Sequence, residues 1–314
     1  ECTLQRRHQK VVEVAPSPTL DPAVRERLLE AALGMAGRLD YRGLGTFELL
    51  VDARPEAEGK FAIIEANPRL QVEHTVTEEI TGVDLVVLQL ELAAGKSLAS
   101  LGFGASPPSP RGYAVQLRIN MEKMAKDGSP RPASGTLAVF EAPSGPGIRV
   151  DHHAHAGFKS NPNFDGLLAK VIAHSPSPAY DQALARAYRA LCELRAEGIA
   201  TNIGFLQDLL RHEDVIANRI HTGFIEAHAS EWVGAGVGTH PRLYFEGSPA
   251  DSSPAREESR QVGAQIASSD PLAVLEHGRA GSASTAPSAA EPSVAPPAES
   301  QGPPGSAPVR APVQ

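Results

Sequence analysis

The sequence predicts an α+β protein built on an antiparallel sheet, and three observations lead there. Short runs of strict two-residue alternation recur between Gly- and Pro-rich turns, as in "YAVQLRIN". Helical periodicity with capping residues lies before and after those runs instead of in a regular strand–helix–strand repeat. Aromatic residues stop at Phe245, after which Ala, Pro, Ser and Gly dominate. Such a tail buries too little apolar surface to offset its ordering entropy, so a disordered linker is expected there.

The elements follow in chain order. "QRRHQK", Gln5 to Lys10, is a basic cluster in an acidic chain, either a solvated charge run or a set of donors for phosphate and a small anion. Asp21 as N-cap and Pro22 at the first helical position open a helix with Val24, Leu28, Ala32, Met35 and Leu39 on one face. "GTFELLVDA" and "KFAIIEANP" read as two strands of a hairpin joined by "RPEAEG". Asp84 to Ala94 reads as a helix closed by Gly95. After the loop "GFGASPPSPRG" comes "YAVQLRIN", whose alternation buries Tyr113, Val115, Leu117 and Ile119 and exposes Gln116 and Arg118. "GTLAVFEAP" and "GIRVDHH" flank an "SGPG" turn. Tyr180, Leu184, Ala187, Leu191 and Leu194 mark a helix expected to end at Gly198, and "TNIGFLQDLLRH" starts another, capped by Thr201 or Asn202. Within the tail, "DPLAVLEHG" could form a short helix or docking segment.

Composition excludes several functions. A formal charge of −8 gives no electrostatic reason to expect nucleic acid. No apolar run approaches the roughly 20 residues that span a bilayer. Cys2 and Cys192 are the only cysteines, so no disulfide framework is implied and a cytoplasmic setting is expected. The chain opens on Glu1 and closes on Gln314, which suggests a piece of a longer protein.

The stretch "IIEANPRLQVEHTVTEEITG" carries the chemistry. Glu48 in the first hairpin strand and Glu65 in the second can meet on one face, with Asn67 two residues on. Two carboxylates and an amide oxygen suit a hard cation such as Mg²⁺, which leaves its other positions to water and phosphate. The alternative is a hairpin with its acids in solvent. Arg69 offers a planar fork for carboxylate, bicarbonate or phosphate, and Glu73 could act as a general base. Pro68 ends the strand, which puts the polar run on a loop at the sheet's end. His152, His153 and His155 lack the further ligands a zinc site needs and read as strand-end surface histidines. No GxxxxGK[ST] or GxGxxG phosphate loop is present, and Lys123 lacks the setting of a biotinylated lysine.

Taken together, "CTLQRRHQKVVEVAPSP", "YRGLGTFELL", "IIEANPRLQVEHTVTEEITGVDLV", "AVQLRIN" and "FDGLLAKVI" closely resemble the biotin carboxylase component of biotin-dependent carboxylases, over roughly residues 1 to 230. The resemblance implies the C-terminal part of an ATP-grasp domain over 1–104 and the β-rich biotin carboxylase C-terminal domain over 105–235. A flexible linker over 236–306 and the start of a biotinyl carrier domain over 307–314 would follow. It implies ATP and Mg²⁺ (or Mn²⁺), with Glu48 and Glu65 holding the metal against the phosphates and Asn67 assisting. Gln5 and His8 would line the nucleotide pocket. Lys10, Arg69 and the backbone of Gln71 and Val72 would bind bicarbonate, and Glu73 would remove its proton. Arg118 would stabilise the biotin enolate. Biotin would arrive on a carrier domain and leave toward a carboxyltransferase, and pairing into a homo-oligomer is a further implied property.

Gln116 and Leu117 stand where the family usually has Glu and Cys before the arginine, and "MEK" stands for its acidic "AED". The family's glycine-rich lid and ATP-binding lysines have no counterpart here, so this piece alone is expected to be inactive. The order of carboxylase, linker and carrier suits an acetyl-CoA or other acyl-CoA carboxylase of fatty acid metabolism. The alternatives are pyruvate carboxylase, another ATP-grasp ligase such as a carbamoyl-phosphate synthetase relative, or a non-catalytic fragment.

Overall fold

A computed structural model describes residues 2–52, 54–103, 108–125, 129–161, 163–232 and 239–244. All of them lie in one compact unit, Glu1–Gly247. The rest of the expected linker, including Asp270 to Gly278, and the expected carrier start at 307–314 lie outside the described residues.

The basic cluster forms the tip of a hairpin, β1 (Cys2–Arg6) and β2 (Gln9–Ala15), with Arg7 and His8 at positive φ in the turn. Helix α1 (Pro22–Arg38) starts as the sequence predicts, with Asp21 accepting from the amides of Ala23 and Val24. Its apolar stripe has no buried residue, and Leu39 is 74% exposed. β3 (Thr46–Val51) and β4 (Phe61–Asn67) form the expected hairpin as a separate two-stranded sheet. Helix α2 (His74–Thr81) ends on left-handed Gly82. α3 (Leu85–Ala93) is capped by Asp84, which accepts from the Val87 amide.

The second half contributes β5 (Tyr113–Asn120), a small hairpin of β6 (Glu122–Met124) and β7 (Pro130–Pro132), β8 (Val139–Glu141), β9 (Ile148–His152) and β10 (Leu167–Ser175). β8 and β9 flank the "SGPG" turn without pairing to each other, since β9 joins β10. Helix α4 (Tyr180–Glu193) stops five residues before Gly198, because Leu194 turns extended and Arg195–Glu197 become strand β11 on β8. α5 (Ile203–Arg211), α6 (Glu213–Ile216) and α7 (Phe224–Ala227) follow. Asn202 holds the N-cap position of α5 but makes no side-chain cap bond. Its side chain instead bridges the Asn120 amide and the Arg118 carbonyl.

The main sheet is antiparallel with order β1-β2-β5-β10-β9, so it takes strands from both sides of residue 104. One face packs Val115, Leu117, Val171 and Ala173 against Leu184, Ala187 and Leu191 of α4 and Leu206 and Leu209 of α5. The other face holds Ala114 and Ile172 against Val76 and Ile80 of α2. This second layer overturns one expectation. Gln116 is fully buried and Arg118 is half-buried, because α2 covers the face that alternation alone would leave in water. Downstream, Leu243 donates its amide to the Cys192 carbonyl and His240 meets Tyr188 and Asp208, so 239–244 lie along α4 and α5.

Candidate active site

The β3–β4 register sets Glu48 directly opposite Glu65, and Thr46 opposite Asn67. Asn67 donates its side-chain amide to Glu65 Oε1 at 2.6 Å. Two facing carboxylates with a neighbouring amide form an oxygen-only donor set, which fits Mg²⁺ or Mn²⁺. Pro68 ends β4, and the loop after it runs into α2. Arg69 on that loop is exposed and donates to the Leu70 carbonyl at 3.3 Å.

Glu73 occupies the N-cap position of α2 yet caps nothing with its side chain. Its carboxylate reaches out of the helix instead. Oε1 accepts from Lys10 Nζ at 2.6 Å, and Oε2 from Arg118 at 3.1 Å. Lys10 also donates to Glu48 Oε1 at 2.7 Å, and Gln71 Nε2 reaches the same oxygen at 3.1 Å. One chain of contacts thus links Glu48 of the hairpin, the loop and the main sheet. Burial pushes the Glu73 carboxyl up, but the Lys10 bond and charge and the Arg118 charge outweigh it and hold the group below its ordinary value. Burial pulls the Lys10 ammonium down, and its bonds to Glu48 and Glu73 raise it overall. Gln71 Oε1 is buried without a hydrogen-bond partner, a spare acceptor beside Glu48.

Beneath this lies a residue that the sequence reading missed. Glu13 on β2 is 1% exposed, and its Oε1 accepts from Arg118 Nε at 2.6 Å and pairs with Nη2 at 2.5 Å. Its Oε2 accepts from Gln116 at 2.8 Å, and the Thr75 hydroxyl donates to the other end of that amide. Burial raises the Glu13 carboxyl and Arg118 opposes the rise. The signal was available: a lone acid inside "VVEVA" must find a partner if the strand is buried. Lys170 was also missed. It donates to the Val72 carbonyl at 3.2 Å and pairs with Asp151 at 3.1 Å. Arg149 joins Asp151 at 2.9 Å and Glu78 of α2 at 2.7 Å. These pairs tie the loop and α2 to β9 and β10.

Lys10, Glu48, Gln71, Glu73 and Arg118 therefore converge, while Glu65 and Asn67 stand beside them on the hairpin. Gln5 lies across the register from Lys10, and His8 sits exposed in the turn. The histidines at 152, 153 and 155 do not cluster as a ligand set: His152 packs on Phe140, and His153 and His155 pack on Phe158. No helix among the described residues is long and apolar enough to cross a membrane.

Residues 1–101 match the family described as carbamoyl-phosphate synthase L chain, ATP binding domain, and residues 116–227 match the biotin carboxylase C-terminal domain. Human mitochondrial pyruvate carboxylase is 44% identical over 227 residues, which is 72% of this chain and 19% of that protein. Among solved structures, the biotin carboxylase domain of a single-chain bacterial carboxylase is 45% identical with a TM-score of 0.67, covering 73% of this chain and 51% of that one. A single-chain, multi-domain long-chain acyl-CoA carboxylase is 41% identical with a TM-score of 0.70, covering 76% and 25%. The biotin carboxylase domain dimer of Hydrogenobacter thermophilus 2-oxoglutarate carboxylase, solved with MgADP, ADP and bicarbonate, is 34% identical with a TM-score of 0.67, covering 74% and 49%. This chain thus spans about half of the solved carboxylase domains and about a fifth of the human protein. The second matched region separates it from the carbamoyl-phosphate synthetase alternative: the chain belongs to the biotin carboxylase family, with the C-terminal part of the ATP-grasp domain followed by the biotin carboxylase C-terminal domain.

Proposed function

We propose that these residues form the metal- and bicarbonate-facing side of a site that carboxylates carrier-borne biotin at the expense of ATP. The observation that carries this is Glu73, held between Lys10 at 2.6 Å and Arg118 at 3.1 Å, with Lys10 reaching on to Glu48. A carboxylate kept below its ordinary pKa is ionised at neutral pH and can take the proton of bicarbonate. Lys10 and Arg118 then face the negative charge left on the anion, and Arg69 adds a planar fork at the start of the same loop. The spare Gln71 acceptor suits the hydroxyl of bicarbonate, and the Val72 backbone is steadied by Lys170. Glu48 and Glu65, with Asn67, would hold Mg²⁺ or Mn²⁺, which when bound neutralises phosphoryl charge. Gln5 and His8, on the hairpin that carries Lys10, would face the nucleotide. The MgADP and bicarbonate in the Hydrogenobacter relative support this assignment.

For the acceptor that finally receives the carboxyl group, the pyruvate carboxylase relatives support pyruvate ahead of the acyl-CoA expected from the domain order. Carboxyl transfer to pyruvate but not to acetyl-CoA by the longer protein would bear this out.

The carboxylase reading is tested in a polypeptide that joins this chain to the remaining half of a biotin carboxylase domain. Glu73→Gln should lower bicarbonate-dependent ATP cleavage by about 10²-fold or more while ATP affinity stays within a few-fold. Lost ATP affinity with bicarbonate dependence intact would place Glu73 at the nucleotide instead.

A further inference from the structure

Away from the carboxylate chain, three other groups converge at the C-terminal helices. His212 lies between α5 and α6, His228 closes α7, and Glu231 lies in the turn that follows. His228 Nδ1 is 2.8 Å from one Glu231 oxygen, and His212 Nε2 is 3.4 Å from the other. The two imidazoles pack edge to face with centroids 4.9 Å apart. Phe224 and Trp232 hold both rings: Phe224 lies 5.2 Å from His212 and 4.5 Å from His228, and Trp232 lies 5.9 Å and 6.0 Å away. Among the described residues this is the one group of three histidine, cysteine or acidic side chains whose ligand atoms all lie within 4.8 Å of one another.

We propose that His212, His228 and Glu231 bind a divalent transition metal ion, with Zn²⁺ as the best fit. Two imidazole nitrogens and a carboxylate oxygen favour Zn²⁺, Ni²⁺ or Cu²⁺ over Mg²⁺, which prefers an all-oxygen shell. Bonds of about 2.0–2.1 Å in a tetrahedral site put ligand atoms roughly 3.4 Å apart, so small side-chain rotations complete the three-ligand set and leave a fourth position for water.

Binding moves a proton on each imidazole: His228 gives up the Nδ1 proton it shares with Glu231, and His212 changes tautomer. His212 Nδ1 accepts from the Asp214 amide at 3.1 Å, which places the ring proton on Nε2. A metal on Nε2 moves that proton to Nδ1, where it no longer suits the amide. Asp214 Oδ2 lies 3.9 Å from Nδ1, while Oδ1 of the same carboxylate pairs with Arg219. A slight turn lets Oδ2 accept the proton, giving a carboxylate–histidine–metal arrangement. The site uses no residue of the proposed carboxylase chemistry, so it stands or falls independently.

The test is calorimetric titration of the full 314-residue chain with Zn²⁺, paired with the visible spectrum of its Co²⁺ form. One site of roughly micromolar affinity and a tetrahedral Co²⁺ spectrum are expected. His228→Gln and Glu231→Gln, each with an unchanged circular dichroism spectrum, should weaken Zn²⁺ at least as much as the roughly 10–100-fold that loss of an outer-shell partner costs. The triple variant His152→Gln, His153→Gln, His155→Gln should bind as the parent does. Unchanged affinity in His228→Gln, loss of binding in the triple variant, or no binding below about 1 mM in the parent would each overturn the assignment.

Discussion

Glu73 is an acid that two cations from different strands hold ionised, and that has a measurable consequence for folding. Lys10 comes from β2 and Arg118 from β5, so the carboxylate also fastens α2 to the main sheet. Its carboxyl lies below the ordinary value of 4.5 in the folded chain. A depressed folded pKa means that the stabilisation is fully present above the unfolded value and fades as pH falls through the folded one. Wild type should therefore exceed Glu73→Gln in stability by about 1–3 kcal/mol at neutral pH. The gap should hold down to about pH 5 and close on further acidification. Urea unfolding of both proteins across that range checks it, and a gap that widens on acidification would reverse the sign assigned here. Glu73 was legible from its place in a polar run after Pro68, because loops at strand ends gather functional groups. For Glu13 the sequence signals that a buried acid needs a partner but not which one, because that depends on which strand lies next to β2, and β5 begins about a hundred residues later.

At the scale of elements, the junction that opens β5 is the most constrained. Gly112 has φ +66°, and a Cβ there would run into the Ser175 carbonyl and Pro176 at the far end of β10. Gly112→Ala should cost well over about 1 kcal/mol, since it adds backbone strain to a collision in the central strand pair. Gly34→Ala, in an open turn of α1 with nothing within 4 Å, should not lower stability. Thermal unfolding of the two variants separates these cases, and equal losses would show that the β5–β10 junction yields more readily than its geometry implies. The same junction shows what local pattern can and cannot reveal. Alternation placed β5 correctly as a strand, and caps at Asp21 and Asp84 placed the starts of α1 and α3. Alternation failed for Gln116 because a strand with helices on both faces has no solvent side. It also gave no warning of β11, whose three residues are specified by pairing with β8 and not by their own pattern.

Across the whole molecule, burial is divided unevenly. Ala114, Val115, Leu117, Ile119, Val171 and Ile172 are fully buried in β5 and β10, whereas α1 and α3 contain no buried residue. Leu33 of α1 is 72% exposed, Leu90 of α3 64% and Ile64 of β4 54%. Apolar surface on this scale marks faces that pack against something else. The matched carboxylase domain has about as much chain again outside the matched part. We therefore expect α1, α3 and the β3–β4 hairpin to open locally in the 314-residue chain while the main sheet and α4 exchange only through global unfolding. Amide exchange should be faster by about two orders of magnitude or more in those three elements than in β5 and β10. Joining the chain to the rest of a carboxylase domain should slow them most. The prediction bears on chemistry as well as stability, because Glu48 and Glu65 ride on the hairpin while Arg118 rides on the sheet. If the hairpin moves, the acids proposed to hold the metal lose their fixed position relative to Lys10 and Arg118, and the proposed phosphoryl transfer would depend mainly on such positioning. Uniformly slow exchange over α1, α3, the hairpin and the main sheet would show that the exposed faces need no partner.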